Sequence, residues 1–433
     1  MSHHSEQKGK KITLTIEKMI TGGLSLGRYD GQAVFVPYGA PGDVVEVRIV
    51  KTSKRFVHGE IESIIEPGAE RQEPLCPHFG RCGGCHLQHL SSGQALKAKQ
   101  GFVEEALQRL GGVDTAVGEV IPSPQSSEYR SRAGLKVRAV KGHVLMGFYE
   151  TNSHRIVDIE SCPVMEPALN QLIAPLRTLI SKLTITRQVA EIDLVRGDDS
   201  FGLVIHTMVA PRQKDFQLFK AFAETHAIDQ FWLQRGKKRT LRPIIQKKLL
   251  SYGLDDGKRL SFLPGDFTQV NRAQNRQLVS MVMERAGSGE RVWDLFCGVG
   301  NFSLSLADNF SSVTGVESYR PAVQRAVENS RVNGLDALTF HMANLSDAAQ
   351  LAKLAWSEQD VVVLDPPREG AVAVAKALVD SPVKRVVYVS CDPATLARDA
   401  GVLQEGGYTL EEVVPLDMFP MAWHVESLAL FTR

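Results

Sequence analysis

The chain has 433 residues, a formal net charge of +1 and a sequence pI near 7.7. This length predicts more than one hydrophobic core, and the near-zero charge excludes a uniformly basic protein, so any affinity for nucleic acid has to come from local patches. Because no run of about 18 apolar residues occurs and the first residues are polar, we expect a cytoplasmic protein with no membrane partner.

Apolar runs between residues 11 and 66 predict short β-strands that close into a small barrel. The strands are Lys11–Ile16, Ala33–Val36 and Val44–Val50, with turns at Gly22, Gly23, Gly39 and Gly42. The segments 22–27 (GGLSLG) and 37–43 (PYGAPGD) resemble the TRAM domain, an OB-like RNA-binding barrel, which implies a domain over residues 10–68. Nine basic residues balance nine acidic ones up to Glu70, so a barrel that serves only as a structural spacer is the alternative.

The next part, residues 69–262, mixes strand-like and helical stretches and predicts an α+β domain. Apolar positions at helical spacing over residues 92–110 predict an amphipathic helix that docks on the C-terminal domain.

Four of the six cysteines of the chain belong to this central part: Cys76, Cys82, Cys85 and Cys162. Four thiolates suffice for a tetrahedral zinc ion or a [4Fe-4S] cluster, and spacing alone does not decide between them. Nearby alternative ligands are His78, His86 and His89.

Two basic stretches are candidate RNA contacts. Alternation over residues 129–138 predicts that Arg130, Arg132, Lys136 and Arg138 share one strand face, with Tyr129 stacking on a base. Between Arg235 and Arg259, nine basic residues stand against two acidic ones. Such patches neutralise phosphates and make affinity salt-dependent, whereas the alternative is an ordinary solvated face.

From residue 263 onward the chain alternates strands and helices, which predicts an α/β domain with buried parallel strands over residues 263–433. Gly298 and Gly300 follow its first strand, and Glu317 closes the second strand 23 residues after Asp294. Glycines allow close approach to a ligand, and the carboxylate can accept both ribose hydroxyls of a nucleoside cofactor. The loop 294–301 (DLFCGVGN) resembles motif I of Rossmann-like S-adenosylmethionine methyltransferases.

Three polar side chains near strand ends are the predicted catalytic residues. Cys391 follows an apolar run, Asp365 opens the segment 365–368 (DPPR), and Glu426 precedes the last strand. A thiolate that adds to C6 of uracil makes C5 nucleophilic towards a sulfonium methyl, and a base then has to remove the C5 proton. We predict Cys391 as the thiolate, Glu426 as the base and Asp365 as the partner of the uracil edge. The start of the following helix and Arg398 are expected to lower the pKa of the thiol, and Cys297 is expected to pack inside the cofactor loop.

Together these motifs resemble the RNA uridine-5-methyltransferase family over nearly the whole chain, closest to its bacterial 23S ribosomal RNA branch with an iron-sulfur cluster and a TRAM barrel. The resemblance implies methyl transfer from S-adenosylmethionine to C5 of a uridine in 23S rRNA. A buried catalytic cysteine requires that uridine to be flipped out of its stack, and we expect the protein to be a monomer. It implies catalytic roles for Cys391, Glu426 and Asp365, cofactor contacts from Gln269, Phe296, Asn301, Glu317, Asn344 and Asp365, and a [4Fe-4S] cluster on Cys76, Cys82, Cys85 and Cys162. Asp392 stands where the family usually has asparagine, and its charge disfavours a neighbouring thiolate.

Four alternatives stay open. The same chemistry on transfer RNA is one, and an iron-sulfur RNA-binding protein with weak catalysis is another. Asp365-Pro366-Pro367 also resembles the motif with which amino-group methyltransferases hold an exocyclic amine, although Arg368 follows where that class has an aromatic residue. Methylation at C5 of cytosine is the fourth, and the second cysteine arrangement typical of those enzymes is not found in the sequence.

Overall fold

The computed structural model describes residues 8–236, 240–357 and 360–433. Its first unit is a closed five-stranded barrel in the order β1-β2-β3-β5-β4, which confirms the predicted barrel. The strands are β1 (Lys11–Ile20), β2 (Leu24–Tyr29), β3 (Gln32–Pro37), β4 (Val44–Thr52) and β5 (Phe56–Glu66). Alternate side chains point inward, so that residues such as Leu14, Val36 and Val47 fill the interior.

A segment of turns that carries the first three clustered cysteines leads from the barrel into α1 (Ser92–Ala106), which continues as a π-helical turn over Leu107–Gly111. The Ser91 hydroxyl caps the helix by accepting from the Gln94 amide at 3.2 Å. Val103, Ala106 and Leu107 pack into the core of the C-terminal sheet. The C-terminal turns of α1 therefore pack on the C-terminal unit, whereas Ala98 and Phe102 pack with Met19 of the barrel and Leu87.

The central unit is a seven-stranded mixed sheet in the order β12-β11-β10-β9-β6-β7-β8. In chain order its elements are β6 (Arg132–Val140), β7 (His143–Tyr149), β8 (Ile156–Asp158), α2 (Pro167–Asn170), α3 (Ile173–Lys182), β9 (Val189–Arg196), β10 (Phe201–Thr207), α4 (Gln213–Thr225), β11 (Ile228–Arg235) and β12 (Arg242–Gln246). Only β10 and β11 pair in parallel among these strands. Helices α3 and α4 cover the apolar face.

The C-terminal unit begins with a hairpin and continues as an α/β sheet in the order β17-β16-β15-β18-β19-β21-β20. Its elements are β13 (Leu250–Gly253), β14 (Arg259–Phe262), α5 (Arg272–Ala286), β15 (Gly289–Leu295), α6 (Ser303–Leu306), β16 (Phe310–Glu317), α7 (Arg320–Val332), β17 (Leu338–Met342), α8 (Ala348–Leu351), β18 (Asp360–Leu364), α9 (Val372–Val379), β19 (Arg385–Ser390), α10 (Pro393–Glu405), β20 (Thr409–Leu416) and β21 (Glu426–Thr432). Strands β15 to β19 are parallel, and β21 runs antiparallel to both β19 and β20.

The hairpin β13–β14 differs from the sequence prediction, which placed it at the end of the 69–262 domain. Its apolar side chains, Leu250, Tyr252, Leu260 and Phe262, share one core with α5 and the C-terminal sheet. The hairpin therefore packs with the C-terminal unit, because its hydrophobic face lies against the helices there. None of the described helices is long and apolar enough to span a bilayer.

Candidate active site

The predicted catalytic residues meet at the carboxyl edge of the C-terminal sheet. Strand β19 ends at Ser390, which pairs with Ser427 of antiparallel β21, so the next step of the register sets Cys391 beside Glu426. Asp365 follows the neighbouring strand β18. Three side chains far apart in sequence thus share one corner of the sheet, where ligands of open α/β sheets bind.

The Cys391 thiol lies in an acidic setting. Burial and the charges of Glu426 and then Asp365 raise its pKa to about 12, and Arg368 opposes this shift. The prediction that the thiol pKa is lowered is therefore wrong for the ligand-free protein. The predicted helper Arg398 instead donates to the buried carboxylate of Asp399 at 2.8 Å, and the nearby cation is Arg368.

Asp392 serves as the N-cap of α10. Its carboxylate accepts from the amides of Ala394 at 2.9 Å and Thr395 at 3.1 Å. Its charge also raises the pKa of Cys391, as the sequence predicts, but less than Glu426 and Asp365 do. The residue that departs from the family pattern is thus a helix cap with a secondary effect on the thiol.

Glu426 is well suited to hold a proton. Its side chain is 2% exposed, and in the described part of the chain its Oε1 atom has no hydrogen-bond partner. Burial first, and the charge of Asp365 second, raise the pKa of Glu426 well above its usual value. Burial and the charge of Asp294 likewise raise the pKa of Asp365. Buried neighbouring carboxylates with raised pKa values are typical of acid–base sites.

The loop after β15 makes a sharp turn that is tied to the end of β16. Phe296, Gly298 and Gly300 have φ of 65°, 55° and 95°, so the backbone turns sharply beneath the strand end. The Gly298 amide donates to Glu317 Oε2 at 3.3 Å, and the Tyr319 amide donates to Glu317 Oε1 at 2.7 Å. These bonds orient the carboxylate at the end of β16, where the sequence predicts a ribose partner.

The other predicted cofactor residues have differing environments. The Asn301 and Asn275 side-chain amides exchange two hydrogen bonds at 2.9 Å each, and the Tyr252 hydroxyl also donates to Asn301. Gln269 is buried in the loop after β14, whereas Asn344 is exposed and accepts from the Ser346 amide in a turn. Asn301 is therefore held by α5 and the hairpin, and its side chain has a structural role of its own.

Asp294, at the root of the cofactor loop, is fully buried and accepts a hydrogen bond from the Ser303 hydroxyl at the start of α6. Burial raises its pKa to about 7. Cys297 is 4% exposed, which confirms that it packs inside the loop.

The four clustered cysteines line one cavity of about 110 Å³, together with side chains that include Phe79, Phe148 and Arg130. All four are free thiols. The Gln88 side chain accepts from the Cys76 amide at 2.9 Å, and Asn170 accepts from the Cys162 amide at 2.8 Å. Within the described ranges, no three Cys, His, Asp or Glu side chains converge closely enough to hold one metal ion. The cavity has room for a group of several atoms, and thiolates are the ligands that iron-sulfur clusters use.

The first predicted basic face, residues 130–138, is largely paired with protein groups. Arg132 donates to the carbonyls of Pro264 at 2.7 Å and Asp266 at 2.6 Å, and Lys136 pairs with Glu191 at 2.5 Å. Tyr129 is 4% exposed, so the prediction that it stacks on a base is wrong. In the second stretch, residues 237–239 lie outside the described residues.

Sequence reasoning did not identify several residues around the site. Lys99 is 1% exposed and pairs with Asp417. Its burial could have been predicted, because Lys99 lies at helical spacing from Ala95, Phe102 and Val103 and therefore on the apolar face of the helix. The contacts of Asn275 and of the segment after Cys85 could not be predicted from a local pattern, because their partners are distant in sequence.

The fold, the glycine loop and the carboxylate at the end of β16 define an S-adenosylmethionine-dependent methyltransferase. The family described as tRNA (Uracil-5-)-methyltransferase matches residues 91–433, and the TRAM domain matches residues 5–61. The chain belongs to this family of uracil-5 methyltransferases, as the sequence predicts.

Relatives of known function cover nearly the whole chain. The 23S rRNA (uracil(1939)-C(5))-methyltransferase RlmD of Azoarcus sp. (strain BH72) is 40% identical over 97% of this chain and 99% of its own length. The protein of the same name from Tolumonas auensis is 41% identical over 98% of this chain and 96% of its own. The structure resembles that of the Pyrococcus abyssi tRNA (uracil-54, C5)-methyltransferase in complex with S-adenosyl-L-homocysteine, with a TM-score of 0.77, 26% identity and coverage of 97% of this chain and 100% of the other.

Proposed function

We propose that this chain transfers a methyl group from S-adenosylmethionine to C5 of a uridine in 23S ribosomal RNA, with the uracil named in its relatives, position 1939, as the target. The observation that carries the proposal is the placement of Cys391 beside Glu426 and next to Asp365 at the carboxyl edge of the sheet. The full-length similarity to ribosomal RNA enzymes favours ribosomal over transfer RNA.

The proposed mechanism gives Cys391, Glu426 and Asp365 one role each. The Cys391 thiolate adds to C6, the resulting enolate at C5 attacks the sulfonium methyl, and S-adenosylhomocysteine leaves. Glu426 then takes the C5 proton, the C5–C6 double bond re-forms and the sulfur departs as thiolate. Asp365 holds the uracil edge, and Arg368 lies near enough to Cys391 to oppose the carboxylate charges. A half-buried thiol at the sheet edge reaches C6 only if the uridine is flipped out of its stack.

We propose that Glu317 and the loop through Gly298 hold the nucleoside of S-adenosylmethionine, with Gln269, Phe296, Asn301, Asn344 and Asp365 as further contacts. The orientation of Glu317 by the Gly298 and Tyr319 amides supports its role as ribose partner. The four cysteines are proposed to hold a [4Fe-4S] cluster, which supplies four covalent links between distant segments.

A methyl-transfer assay tests the function. Tritiated S-adenosylmethionine is incubated with the full chain and with transcripts of either 23S rRNA or tRNA, and the labelled nucleoside is identified. We expect 5-methyluridine at one site of the ribosomal transcript and background labelling of tRNA. Cys391→Ser should retain S-adenosylmethionine binding and lose turnover. Labelling of an exocyclic amine, or full activity of Cys391→Ser, would contradict the proposal.

A further inference from the structure

We propose that the four-cysteine segments position the loop of residues 417–425, and through it Glu426, so that removal of the C5 proton depends on contacts from outside the C-terminal sheet. This inference rests on the proposed function. The loop joins β20 to β21 and ends at Glu426.

Four consecutive carbonyls of this loop accept hydrogen bonds from four other parts of the chain. The donors are Asn271 Nδ2 to Met418 at 3.3 Å, Lys99 Nζ to Phe419 at 2.9 Å, the Tyr129 hydroxyl to Pro420 at 3.0 Å, and the His86 and Leu87 amides to Met421 at 2.8 and 2.9 Å. These donors belong to the N-cap of α5, to α1, to the approach to β6 and to the cysteine segment. An irregular loop with this many external donors takes its shape from those donors.

The backbone of Met421 also requires outside support. Its φ is 67°, a left-handed conformation that a side chain with a Cβ adopts rarely. Such a conformation persists where the surrounding structure holds it. The two amides that bind the Met421 carbonyl, from His86 and Leu87, supply that support.

Both cysteine-bearing segments connect to the loop. His86 and Leu87 directly follow Cys85 in the sequence. On the other side, the amides of Glu128 and Arg130 donate to the carbonyls of Pro163 at 2.9 Å and Val164 at 2.8 Å, immediately after Cys162. Tyr129 lies between those two residues and donates to Pro420. A group that links Cys85 to Cys162 thus fixes two donors of the loop at once.

The backbone of the loop is anchored at both ends, since Glu426 pairs with Leu416 of β20. The buried ammonium of Lys99 pairs with Asp417, whose amide donates to Ile121 at 2.9 Å. At the other end, Glu426 Oε1 has no partner among the described residues. The direction of that carboxylate therefore follows the backbone of Glu426, which the sheet pairing holds on one side and residues 417–425 approach on the other. Lys99 and Tyr129 are positioning residues in this scheme, since they act through the loop.

The step that depends on this positioning can be separated from methyl transfer. After C5 is methylated, the enzyme and RNA are joined by the bond between sulfur and C6. Glu426 takes the C5 proton, the electron pair of the C5–H bond forms the C5–C6 double bond, and the electrons of the S–C6 bond return to Cys391. A displaced base slows this step alone, so the methylated covalent adduct should accumulate.

The test compares Tyr129→Phe with Tyr408→Phe. Both hydroxyls are buried and donate to a backbone carbonyl, since Tyr408 binds Val383 at 2.6 Å, but Tyr408 is remote from the loop. The RNA carries tritium at C5 of its uridines, and S-adenosylmethionine carries a ¹⁴C methyl group. In a single turnover, ¹⁴C in total RNA measures methyl transfer, and tritium released to water measures proton removal.

In Tyr129→Phe we expect tritium release to slow by roughly tenfold, which is part of the roughly hundredfold to ten-thousandfold that a positioned general base contributes. Methyl transfer should change by less than about twofold, and a denaturant-stable adduct should appear. Hydrogen exchange of the loop amides should rise in this variant and in protein stripped of metal. Tyr408→Phe should show neither effect. Equal slowing of both signals, no slowing, or unchanged loop exchange would overturn the inference. Absence of methyl transfer in the unaltered chain would instead overturn the proposed function.

Discussion

Asp392 has two opposing effects at the residue scale. Its carboxylate caps α10 through the amides of Ala394 and Thr395, and its charge raises the pKa of Cys391. Asparagine retains a side-chain oxygen that caps a helix about as well and removes the charge. The choice of aspartate here therefore affects the thiol more than the helix.

We predict that Asp392→Asn increases the alkylation rate of Cys391 by iodoacetamide about twofold to fivefold at constant pH, because the removal of a neighbouring charge lowers the pKa of the thiol. Peptide mass spectrometry separates Cys391 from the other cysteines. The melting temperature should change little, whereas Asp392→Ala should lose about 1 kcal/mol of stability. Slower alkylation in Asp392→Asn would contradict this electrostatic account.

The raised pKa of Cys391 also predicts how the reactivity of its thiol depends on pH. Since the pKa of Cys391 is raised to about 12, most of the thiol is protonated at neutral pH. Its thiolate fraction should then rise roughly tenfold per pH unit between about pH 7 and pH 10. Alkylation of Cys391 measured over that range should follow this slope in the ligand-free protein. A plateau below pH 8 would show a thiol with a lowered pKa.

At the scale of elements, the cofactor loop is held by α5 and the hairpin. Asn275 on α5 and Asn301 in the loop exchange two hydrogen bonds, and Tyr252 on β13 adds a third. Asn329 on α7 donates to the carbonyls of Ser261 and Val299, which ties β14 to the same loop. The shape of the loop therefore depends on three elements that the glycine motif does not include.

We predict that Asn275→Ala weakens S-adenosylmethionine binding by up to about thirtyfold, because Asn301 loses two hydrogen bonds worth about 1 kcal/mol each. Isothermal titration calorimetry measures this loss. Asn333→Ala is the matched control, since Asn333 exchanges hydrogen bonds with the Arg259 backbone on the hairpin without contacting the loop. Equal weakening in both variants would mean that hairpin stability, rather than the Asn275–Asn301 pair, sets the affinity.

At the scale of the whole molecule, the barrel, the cysteine segment and the catalytic loop meet at one point. A Cβ on Gly23, whose φ is 77°, would lie 2.8 Å from His86 Cβ and 3.2 Å from Trp423. His89 binds the Gly39 carbonyl of the barrel at 3.1 Å, and Arg71 binds Asp43 at 2.6 Å. The RNA-binding barrel is thus joined to the catalytic sheet through the cysteine segment.

We predict that Cys85→Ser lowers the iron and acid-labile sulfide content to near zero and lowers the melting temperature by several degrees, because ligand binding by distant segments contributes to folding free energy. Cys297→Ser, which alters a buried thiol outside the cluster, should retain its iron. Metal analysis and calorimetry measure both quantities. A Cys85→Ser protein with full iron content would exclude the proposed ligand set.

The sequence predicted what depends on local pattern. Strand periodicity located the barrel and the parallel sheet, and strand ends located Cys391, Asp365 and Glu426. It did not predict the raised pKa of Cys391, because that shift depends first on the burial of the thiol in the fold and then on the antiparallel return of β21, which brings Glu426 beside it. The role of Tyr129 was missed for the same reason, since its partner Pro420 is 291 residues away.

The most direct test of the central claim, a covalent bond between Cys391 and C6 of the target uridine, uses RNA that contains 5-fluorouridine. The enzyme methylates C5 of the analogue but cannot remove fluorine as a proton, so the adduct persists. After incubation with S-adenosylmethionine, digestion and mass spectrometry should locate one methylated fluorouridine on Cys391. A trapped nucleotide on another residue, or methylated RNA with no adduct, would contradict the account.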